Sequence, residues 1–235
     1  NKQKGSKCYP FSFMKFNYPD VSTIEELNLR WYLVDDETAF PSITSMLGKT
    51  MPEEKRLSLE NWKKSIGEAE AERISHEATT NGTAVHLLIE LHLGGQPINE
   101  AEFTDQQLKS FKSLKGYLKK IDEVWGQEVA LYSRELMIAG RCDCIGVYKG
   151  KPSILDWKTS SKIKDDSMIE DYKYQLAFYA RAHNEMFGTN IDHGVVLMAT
   201  KDGFPLEFCV DLNKYYDKLE TRVQYFYELL FKGNQ

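Results

Sequence analysis

The spacing of hydrophobic residues along the chain changes from a helical period to a strand period near residue 125. Residues 53 to 93 carry apolar positions at intervals of three and four, which predicts two helices with a break near Thr79 to Gly82. The second helix is expected to end at Gly94-Gly95, and a further helix is expected at about 105 to 124. The first half of the chain is therefore predicted to be helical.

Alternation of apolar and polar residues begins at Glu128 and predicts three strands, VALYSREL, IAGRCDCIGVY and PSILDWKT. The last two are joined at Lys149-Gly150, which we interpret as a two-residue hairpin turn. The remaining elements are expected to be a helix at about 171 to 187, strands at 192 to 200 and 204 to 210, and a last helix at 212 to 231. This order predicts a mixed α/β (α+β) fold, with one central mixed β-sheet flanked by helices.

With 235 residues, of which 42% are hydrophobic, the chain is long enough for one domain with a sizeable core. We expect a single domain over 1–235, with a lead-in at 1–40, a helical part at 41–125 and a sheet core at 126–235. The lead-in is rich in aromatic residues, which we expect to pack in the core as short strands or irregular chain. No run approaches the roughly 18 apolar residues of a membrane helix, so no membrane association is expected.

The four cysteines are Cys8, Cys142, Cys144 and Cys209. They lack the CxxC spacing of a metal or redox site, so we expect reduced thiols. Strand alternation predicts that Cys142 and Cys144 are buried together on the face opposite Asp143.

The net charge of −5 argues against a protein that coats nucleic acid through its overall field. A local basic surface stays open, because four lysines between 109 and 119 recur at helical spacing. They form either a solvated helix face or a phosphate-binding one.

Two aspartates flank the predicted hairpin turn. If Lys149-Gly150 is a two-residue loop, Asp143 lies directly opposite Asp156, and Lys158 projects to the same face by alternation. Two carboxylates so close repel each other unless a cation lies between them. Mg²⁺ or Mn²⁺ would suit oxygen ligands, and such a site is typical of phosphodiester hydrolysis. The alternative is a surface ion pair, Asp156 with Lys158 or Asp143 with Arg141.

Two helices offer additional polar side chains at a spacing of one turn. His86 and Glu90 share one helix face and could extend the aspartate site, or His86 could be a satisfied histidine on a half-buried helix. Gln175 and Tyr179 follow the Asp-Trp-Lys strand and could orient Lys158 or contact a phosphate, or they could be ordinary helix polar residues.

The segments GRCDCIG, SILDWKTSSK and YQLAFYA together resemble the PD-(D/E)xK nuclease superfamily in its RecB-like branch, and GTAVHLLIE is similar to the upstream helix of that branch. AFPSITSMLGKTM, LENWKK and VVLMATKDG extend the resemblance to the mitochondrial genome maintenance exonuclease family and its phage relatives. The resemblance covers about residues 31 to 205. It implies a restriction-endonuclease-like core.

The resemblance also implies roles for individual residues. Metal ligation would fall to His86, Asp143, Asp156 and the backbone carbonyl of Trp157. Lys158 would be the catalytic lysine, with Glu90, Gln175 and Tyr179 at supporting positions of the catalytic group. The four-cysteine iron-sulfur pattern of some RecB-like nucleases is absent from this sequence.

We therefore expect a Mg²⁺-dependent (or Mn²⁺-dependent) DNA exonuclease that prefers single strands with free ends and acts in replication, recombination or repair. A nicking or structure-specific endonuclease, and a non-catalytic nucleic-acid-binding protein, are the alternatives. The expected phosphate contacts are Ser42, Thr44, Thr159, Ser160, Lys162, Lys164 and Lys173. The expected setting is the cytoplasm of a bacterium or phage-infected host, where replication or recombination proteins would be partners. The mitochondrial matrix is the alternative location.

Overall fold

A five-stranded mixed sheet forms the centre of the protein. The structure is a computed structural model that describes residues 14–232. Its strands are β4 (Ile121–Ser133), β5 (Ile138–Tyr148), β6 (Lys151–Ser160), β7 (His193–Thr200) and β8 (Pro205–Asp211). They lie in this order across the sheet, with β6 and β7 parallel and the other neighbours antiparallel. The predicted mixed α/β fold with a central mixed sheet is confirmed.

Helices cover both faces of this sheet. They are α1 (Ile43–Lys49), α2 (Glu53–Ile66), α3 (Glu68–Leu93), α4 (Asp105–Leu118), α5 (Glu170–Phe187) and α6 (Tyr216–Lys232). Apolar residues of α1, α5 and α6 form one core cluster with the sheet, and those of α3 and α4 form another. The long apolar strands are consistent with a sheet buried on both faces. Among the described residues, no helix has the length and apolar character that a bilayer crossing requires.

The β5–β6 hairpin has the predicted turn. Lys149 and Gly150 have φ angles of 49° and 76°, and two successive positive φ values are typical of a type I′ turn. The register runs from Tyr148↔Lys151 to Cys144↔Leu155, which is the register expected from the sequence. It therefore places Asp143 and Asp156 at the next position of each strand.

The boundary between α2 and α3 differs from the prediction. The helices are separated by Gly67, whose φ of 87° favours glycine, and α3 continues through Thr79 and Gly82. The hydroxyl of Thr79 donates to the carbonyl of Ser75 within the helix. The polar residues near Thr79 are thus accommodated on an exposed helix face rather than ending the helix.

The change from helix to strand also comes earlier than predicted. Helix α4 ends at Leu118, and β4 begins at Ile121 rather than at Glu128. The β4–β5 register shifts between Ile121 and Glu123 and again between Val124 and Gly126. These irregularities interrupt the period of two, which explains why alternation did not reveal the first half of β4.

The N-terminal lead-in contains a second, smaller sheet, which was expected only as short strands. It consists of β1 (Thr23–Glu26), β2 (Leu29–Leu33) and β3 (Ala39–Pro41), all antiparallel. Tyr32 and Phe40 are buried against the main sheet, so these aromatic residues belong to the core, as predicted. The aromatic residues before residue 14, and Cys8, lie outside the described residues.

The prediction for the cysteine pair is half right. Cys142 and Cys144 are both fully buried free thiols. However, Cys142 packs in the cluster with α1, α5 and α6, whereas Cys144 packs in the cluster with α3 and α4. Simple alternation therefore does not hold between these two positions of β5. Cys209 is exposed.

Candidate metal centre

Strands β5 and β6 stop pairing at the position where the acidic residues begin. The last paired residues are Cys144 and Leu155. One residue further, the backbone N–H of Trp157 donates to Asp143 Oδ2 at 2.8 Å. A carboxylate of β5 thus takes the place of a backbone carbonyl, and this opening in the ladder forms the site.

Asp156 and Lys158 share one face of β6, as alternation predicted. Lys158 Nζ lies 2.7 Å from Asp156 Oδ1, to which it donates, and also 2.7 Å from Oδ2. The side chain of Asp156 is only 1% exposed. Its Oδ2 atom is also buried, and the Lys158 ammonium contacts it without the geometry of a hydrogen bond. The pair is therefore not the exposed surface ion pair considered as an alternative.

His86 reaches the site from α3. Its neighbours Val85, Leu88 and Ile89 are buried in the core cluster on that face of the sheet, so the helix is held against β6. His86 Nε2 lies 2.9 Å from the carbonyl oxygen of Trp157, and Nδ1 lies 3.7 Å from Asp143 Oδ2. The histidine, the two aspartates and the Trp157 backbone predicted for one site are thus brought together.

Glu128 on β4 is a site residue that the sequence analysis missed. It lies opposite Asp143, because Gln127 pairs with Cys144 and Val129 with Cys142 on either side. Possible ligand atoms of His86, Glu128 and Asp143 all lie within 4.8 Å of one another. Counting residues across the β4–β5 turn could have identified Glu128. The turn Arg-Glu-Leu-Met, however, carries no glycine or asparagine from which to fix the register.

The charges of the site are unbalanced. Burial raises the pKa of Asp143, although His86 and Lys158 oppose this shift. Burial and the neighbouring Asp143 also raise the pKa of Asp156, against the attraction of Lys158. Burial disfavours charged Lys158, but Asp156 and Asp143 raise its pKa overall. The three carboxylates of Asp143, Asp156 and Glu128 outnumber the two basic groups, Lys158 and His86, and this excess of negative charge favours an additional cation.

The pKa of His86 is raised to about 9. Burial opposes its charged form, but Asp143 and Glu128 outweigh that effect. The imidazole therefore responds to the same excess of negative charge as Lys158 does.

The donor set fits a hard divalent ion. Asp156 is buried with Asp143 nearby, so a cation between them would relieve the repulsion of the two carboxylates. Carboxylate and carbonyl oxygens with one imidazole suit Mg²⁺ or Mn²⁺ better than soft metals. Cys142 and Cys144 pack in the core clusters and belong to no candidate ligand group of the described residues.

Gln175 and Tyr179 lie on α5 beneath the site rather than in it. Tyr179 Oη donates to the carbonyl of Arg141 at 2.6 Å, and Gln175 Nε2 donates to Tyr179 Oη at 3.2 Å. Tyr179 also packs closely on Gly140, where an added Cβ would lie 2.9 Å from the ring. The prediction that this pair orients Lys158 is corrected, because its hydrogen bonds fix the backbone of β5 just before Asp143.

Glu90 lies one turn after His86 on α3 and is half-buried. Burial and the nearby Glu128 raise its pKa, and no hydrogen bond connects its carboxylate to the aspartates in the described part of the chain. Glu90, His86, Glu128 and Arg141 line a groove of about 1220 Å³ that opens beside the site. Glu90 therefore lies on the wall of the approach to the site.

Two of the predicted phosphate contacts do not fit the structure. Ser42 caps α1 as expected, but it is buried, and its hydroxyl accepts from the backbone N–H of Ser45. Lys173 is also buried, and its Nζ lies 2.6 Å from Asp166 and 3.5 Å from Glu170. Both predictions are corrected, because the Ser42 hydroxyl and the Lys173 ammonium are buried and already bind neighbouring groups of the protein.

The other predicted contacts lie near the end of β6 or on the surface. Thr159 and Ser160 continue β6, Lys162 is exposed, and Thr44 is exposed at the start of α1. Lys164 Nζ donates to Tyr172 Oη at 3.0 Å, and Lys158 lies 5.1 Å from the centre of the same ring. Tyr172, which was not predicted, therefore lies between the site lysine and Lys164.

The proteins of known name that are similar in sequence to this chain share one name. The chain is 29% identical over 206 residues to mouse mitochondrial genome maintenance exonuclease 1. The matched segment covers 81% of this chain and 60% of the mouse protein. It is 30% identical over 174 residues to the Xenopus tropicalis protein of that name, and this match covers 70% of this chain and 50% of the Xenopus protein. The chain thus spans only half to three fifths of these relatives. No family model matches the sequence.

Among solved structures, a chain from Eubacterium rectale, provisionally assigned as an exonuclease, is similar with a TM-score of 0.43 and 16% identity. The likeness covers 63% of this chain and 65% of that one.

Proposed function

We propose that the protein is a divalent-metal-dependent nuclease that hydrolyses phosphodiester bonds of DNA, acting as an exonuclease on single strands with free ends. One observation carries the proposal: the carboxylates of Asp143 and the buried Asp156 lie together with one lysine, Lys158, beside the His86–Trp157 pair. The exonuclease relatives support the nuclease activity. The resemblance to the PD-(D/E)xK superfamily supports the choice of DNA.

The proposed ligands are Asp143, Asp156, His86 and the carbonyl oxygen of Trp157. A bound Mg²⁺ or Mn²⁺ would supply Lewis-acid stabilisation of the phosphate and lower the pKa of a water molecule.

The protein's own residues position the other reacting groups. Lys158 is held by Asp156 and Tyr172, so its ammonium is fixed close to the place where negative charge develops on the phosphate. Asp143 keeps the Trp157 peptide in place through its N–H. Thr159, Ser160, Lys162, Lys164 and Thr44 are the proposed contacts for the flanking phosphates.

A role in replication, recombination or repair, together with proteins of those processes, is part of the proposal. The relatives' name supports a genome-maintenance role and favours the mitochondrial alternative for the location. A phage or bacterial cytoplasmic setting remains the other proposal.

The decisive assay incubates the protein with linear and circular single-stranded DNA, and with linear RNA, in Mg²⁺, Mn²⁺, Ca²⁺ or EDTA. We expect cleavage of linear DNA in Mg²⁺ or Mn²⁺ and none in EDTA. Lys158→Ala should lower the rate about 10²- to 10³-fold, because the positioned charge is lost. Lys149→Ala, which removes a lysine that contacts Glu207 away from the site, is the matched control and should retain activity.

Each alternative has its own result in this assay. Cleavage of circular DNA would show an endonuclease, and preferential cleavage of RNA would change the substrate class. Binding of DNA without cleavage in any metal would show a non-catalytic binding protein. Cleavage that continues in EDTA, or in Lys158→Ala at the normal rate, would contradict the proposed mechanism.

A further inference from the structure

The two ring nitrogens of His86 face different partners. Nε2 lies 2.9 Å from the Trp157 carbonyl oxygen. Nδ1 lies 3.7 Å from Asp143 Oδ2 and 3.8 Å from Glu128 Oε1. A divalent ion could therefore be bound either through Nδ1, together with Glu128 and Asp143, or through Nε2, together with the Trp157 carbonyl.

The distances favour Nε2. In an octahedral site with metal-ligand distances of roughly 2.1 Å, adjacent ligand atoms are roughly 2.9 Å apart. In the metal-free protein, Nε2–H donates a hydrogen bond to the Trp157 oxygen at 2.9 Å, and this separation matches the spacing of adjacent ligands. The separations from Nδ1 to the two carboxylates are too long for adjacent ligands.

If Nε2 binds the ion, Nδ1 must carry the proton and needs an acceptor. Asp143 Oδ2 already accepts from the Trp157 N–H. The carboxylate of Glu128, in contrast, makes no hydrogen bond within the described part of the chain, and it lies within a small side-chain rotation of Nδ1. Glu128 is thus the acceptor that remains available.

The backbone holds Glu128 in an uncommon conformation at this point. Its φ of 50° lies in the left-handed region, which L-residues other than glycine rarely adopt. The Arg141 guanidinium donates to the carbonyl oxygen of Glu128 from the neighbouring strand. Such strain persists only where the surrounding structure maintains it, and it is frequent at functional sites.

We propose that Glu128 is a positioning residue that accepts a hydrogen bond from His86 Nδ1–H and so fixes the tautomer that presents Nε2 to the metal. This inference rests on the proposed function. Carboxylate–histidine–metal arrangements of this kind orient the ring and raise its basicity. Glu128 therefore acts through His86, rather than as a ligand.

Two substitutions separate the two roles. Glu128→Gln keeps an oxygen that can accept from Nδ1–H but loses the charge, whereas Glu128→Ala loses both. For a positioning role we expect Mn²⁺ affinity, measured by calorimetry without DNA, to stay within about threefold in Glu128→Gln and to fall about 10- to 100-fold in Glu128→Ala. Glu123→Gln, on the exposed part of the same strand, is the control and should bind as the unmodified protein does.

Nitrogen-15 NMR of the histidine ring provides the second measurement, with Mg²⁺ as the diamagnetic probe. We expect His86 to carry its proton on Nδ1 in the unmodified protein and in Glu128→Gln, and to lose this preference in Glu128→Ala. A merely structural role of Glu128 would leave the tautomer unchanged, which would overturn the inference.

The remaining outcomes are equally distinct. If Glu128→Gln loses Mn²⁺ affinity as fully as Glu128→Ala does, Glu128 is a direct ligand and the inference is wrong. If both variants bind Mn²⁺ normally, the inference is wrong, while the proposed nuclease function stands. If the unmodified protein binds neither Mg²⁺ nor Mn²⁺, the proposed function itself fails.

Discussion

Two acid–base clusters on the same sheet have opposite charge balances. Glu207 on β8 accepts from Tyr148 Oη, lies 2.7 Å from Lys149 Nζ and has Lys120 Nζ at 3.7 Å. Burial disfavours its charge, but these donors lower its pKa overall. Around Asp156, by contrast, carboxylates outnumber the single lysine, and its pKa is raised.

The difference shows how a structural ion pair can be told from a candidate metal site. Both clusters contain a carboxylate and a lysine at close to 2.7 Å. Only in the Asp156 cluster does a second carboxylate, that of Asp143, raise the pKa of the paired one. A protein retains such a costly arrangement where function requires it.

The largest difference between the two clusters is expected in DNA cleavage. Asp156→Asn should lower DNA cleavage about 10²- to 10³-fold, because a ligand and the anchor of Lys158 are lost. The equivalent change at the other cluster, Glu207→Gln, should leave cleavage unchanged. Equal losses in the two variants would show that the clusters do not differ in function.

The same two variants should both lower stability, but to different extents. Asp156→Asn takes away the closest partner of Lys158, whose pKa Asp156 and Asp143 raise, so it should lower the free energy of unfolding by about 3 kcal/mol. Glu207→Gln loses charge-assisted hydrogen bonds and should lower it by about 1 kcal/mol. Urea unfolding in EDTA measures both values.

Two histidines, the buried His183 and the half-buried His86, extend the comparison to the pH dependence of stability. The hydrogen-bond partners of His183 in the described part of the chain are the hydroxyls of Thr189 and Tyr18, and burial lowers its pKa to about 4. The unfolded chain, with a histidine pKa of about 6.5, then binds more protons between pH 4 and 6.5, so stability falls as pH falls through this window. The loss between pH 7 and 5 should be about 2 kcal/mol, and His183→Gln should reduce it.

The contribution of His86 to stability depends on pH in the opposite direction from that of His183, because the pKa of His86 is raised to about 9. Its contribution to the metal-free fold should be present below pH 6.5 and lost as pH rises toward 9. Urea unfolding in EDTA across this range should therefore show an alkaline decline that His86→Gln reduces. An unchanged decline in that variant would contradict the assigned contacts.

The smallest effect is expected at Tyr179. Tyr179→Phe removes the hydrogen bond to the Arg141 carbonyl and should lower the free energy of unfolding by about 1 kcal/mol. Cleavage should fall less than in Asp156→Asn, because only the support of β5 is altered. Tyr227→Phe, which removes an equivalent bond to the Met137 carbonyl, is the matched control for stability and should not affect cleavage.

The sequence predicted the parts of the site that depend on local rules. The Lys149-Gly150 turn fixed a register that could be counted, and β6 alternation placed Lys158 beside Asp156. Glu128 could not be predicted in this way, since its position depends on a turn without a glycine signal and on a left-handed residue within a strand.

The burial of single side chains and the irregular pairing of strands were equally hidden from the sequence. Lys173 looked like a free cation, but it is buried beside Asp166 and Glu170. The early start of β4 was missed because irregular pairing interrupts its alternation. Such features follow from tertiary packing, which can override local patterns.

Metal binding is the most direct test of the comparison between the two clusters. Titration of Mn²⁺ into the metal-free protein by calorimetry should show binding in the unmodified protein and in Glu207→Gln. It should show at least a tenfold weaker affinity in Asp156→Asn, although that variant is folded. Equal Mn²⁺ affinity in all three proteins, or no binding in any of them, would contradict the assignment of the Asp156 cluster as a metal centre.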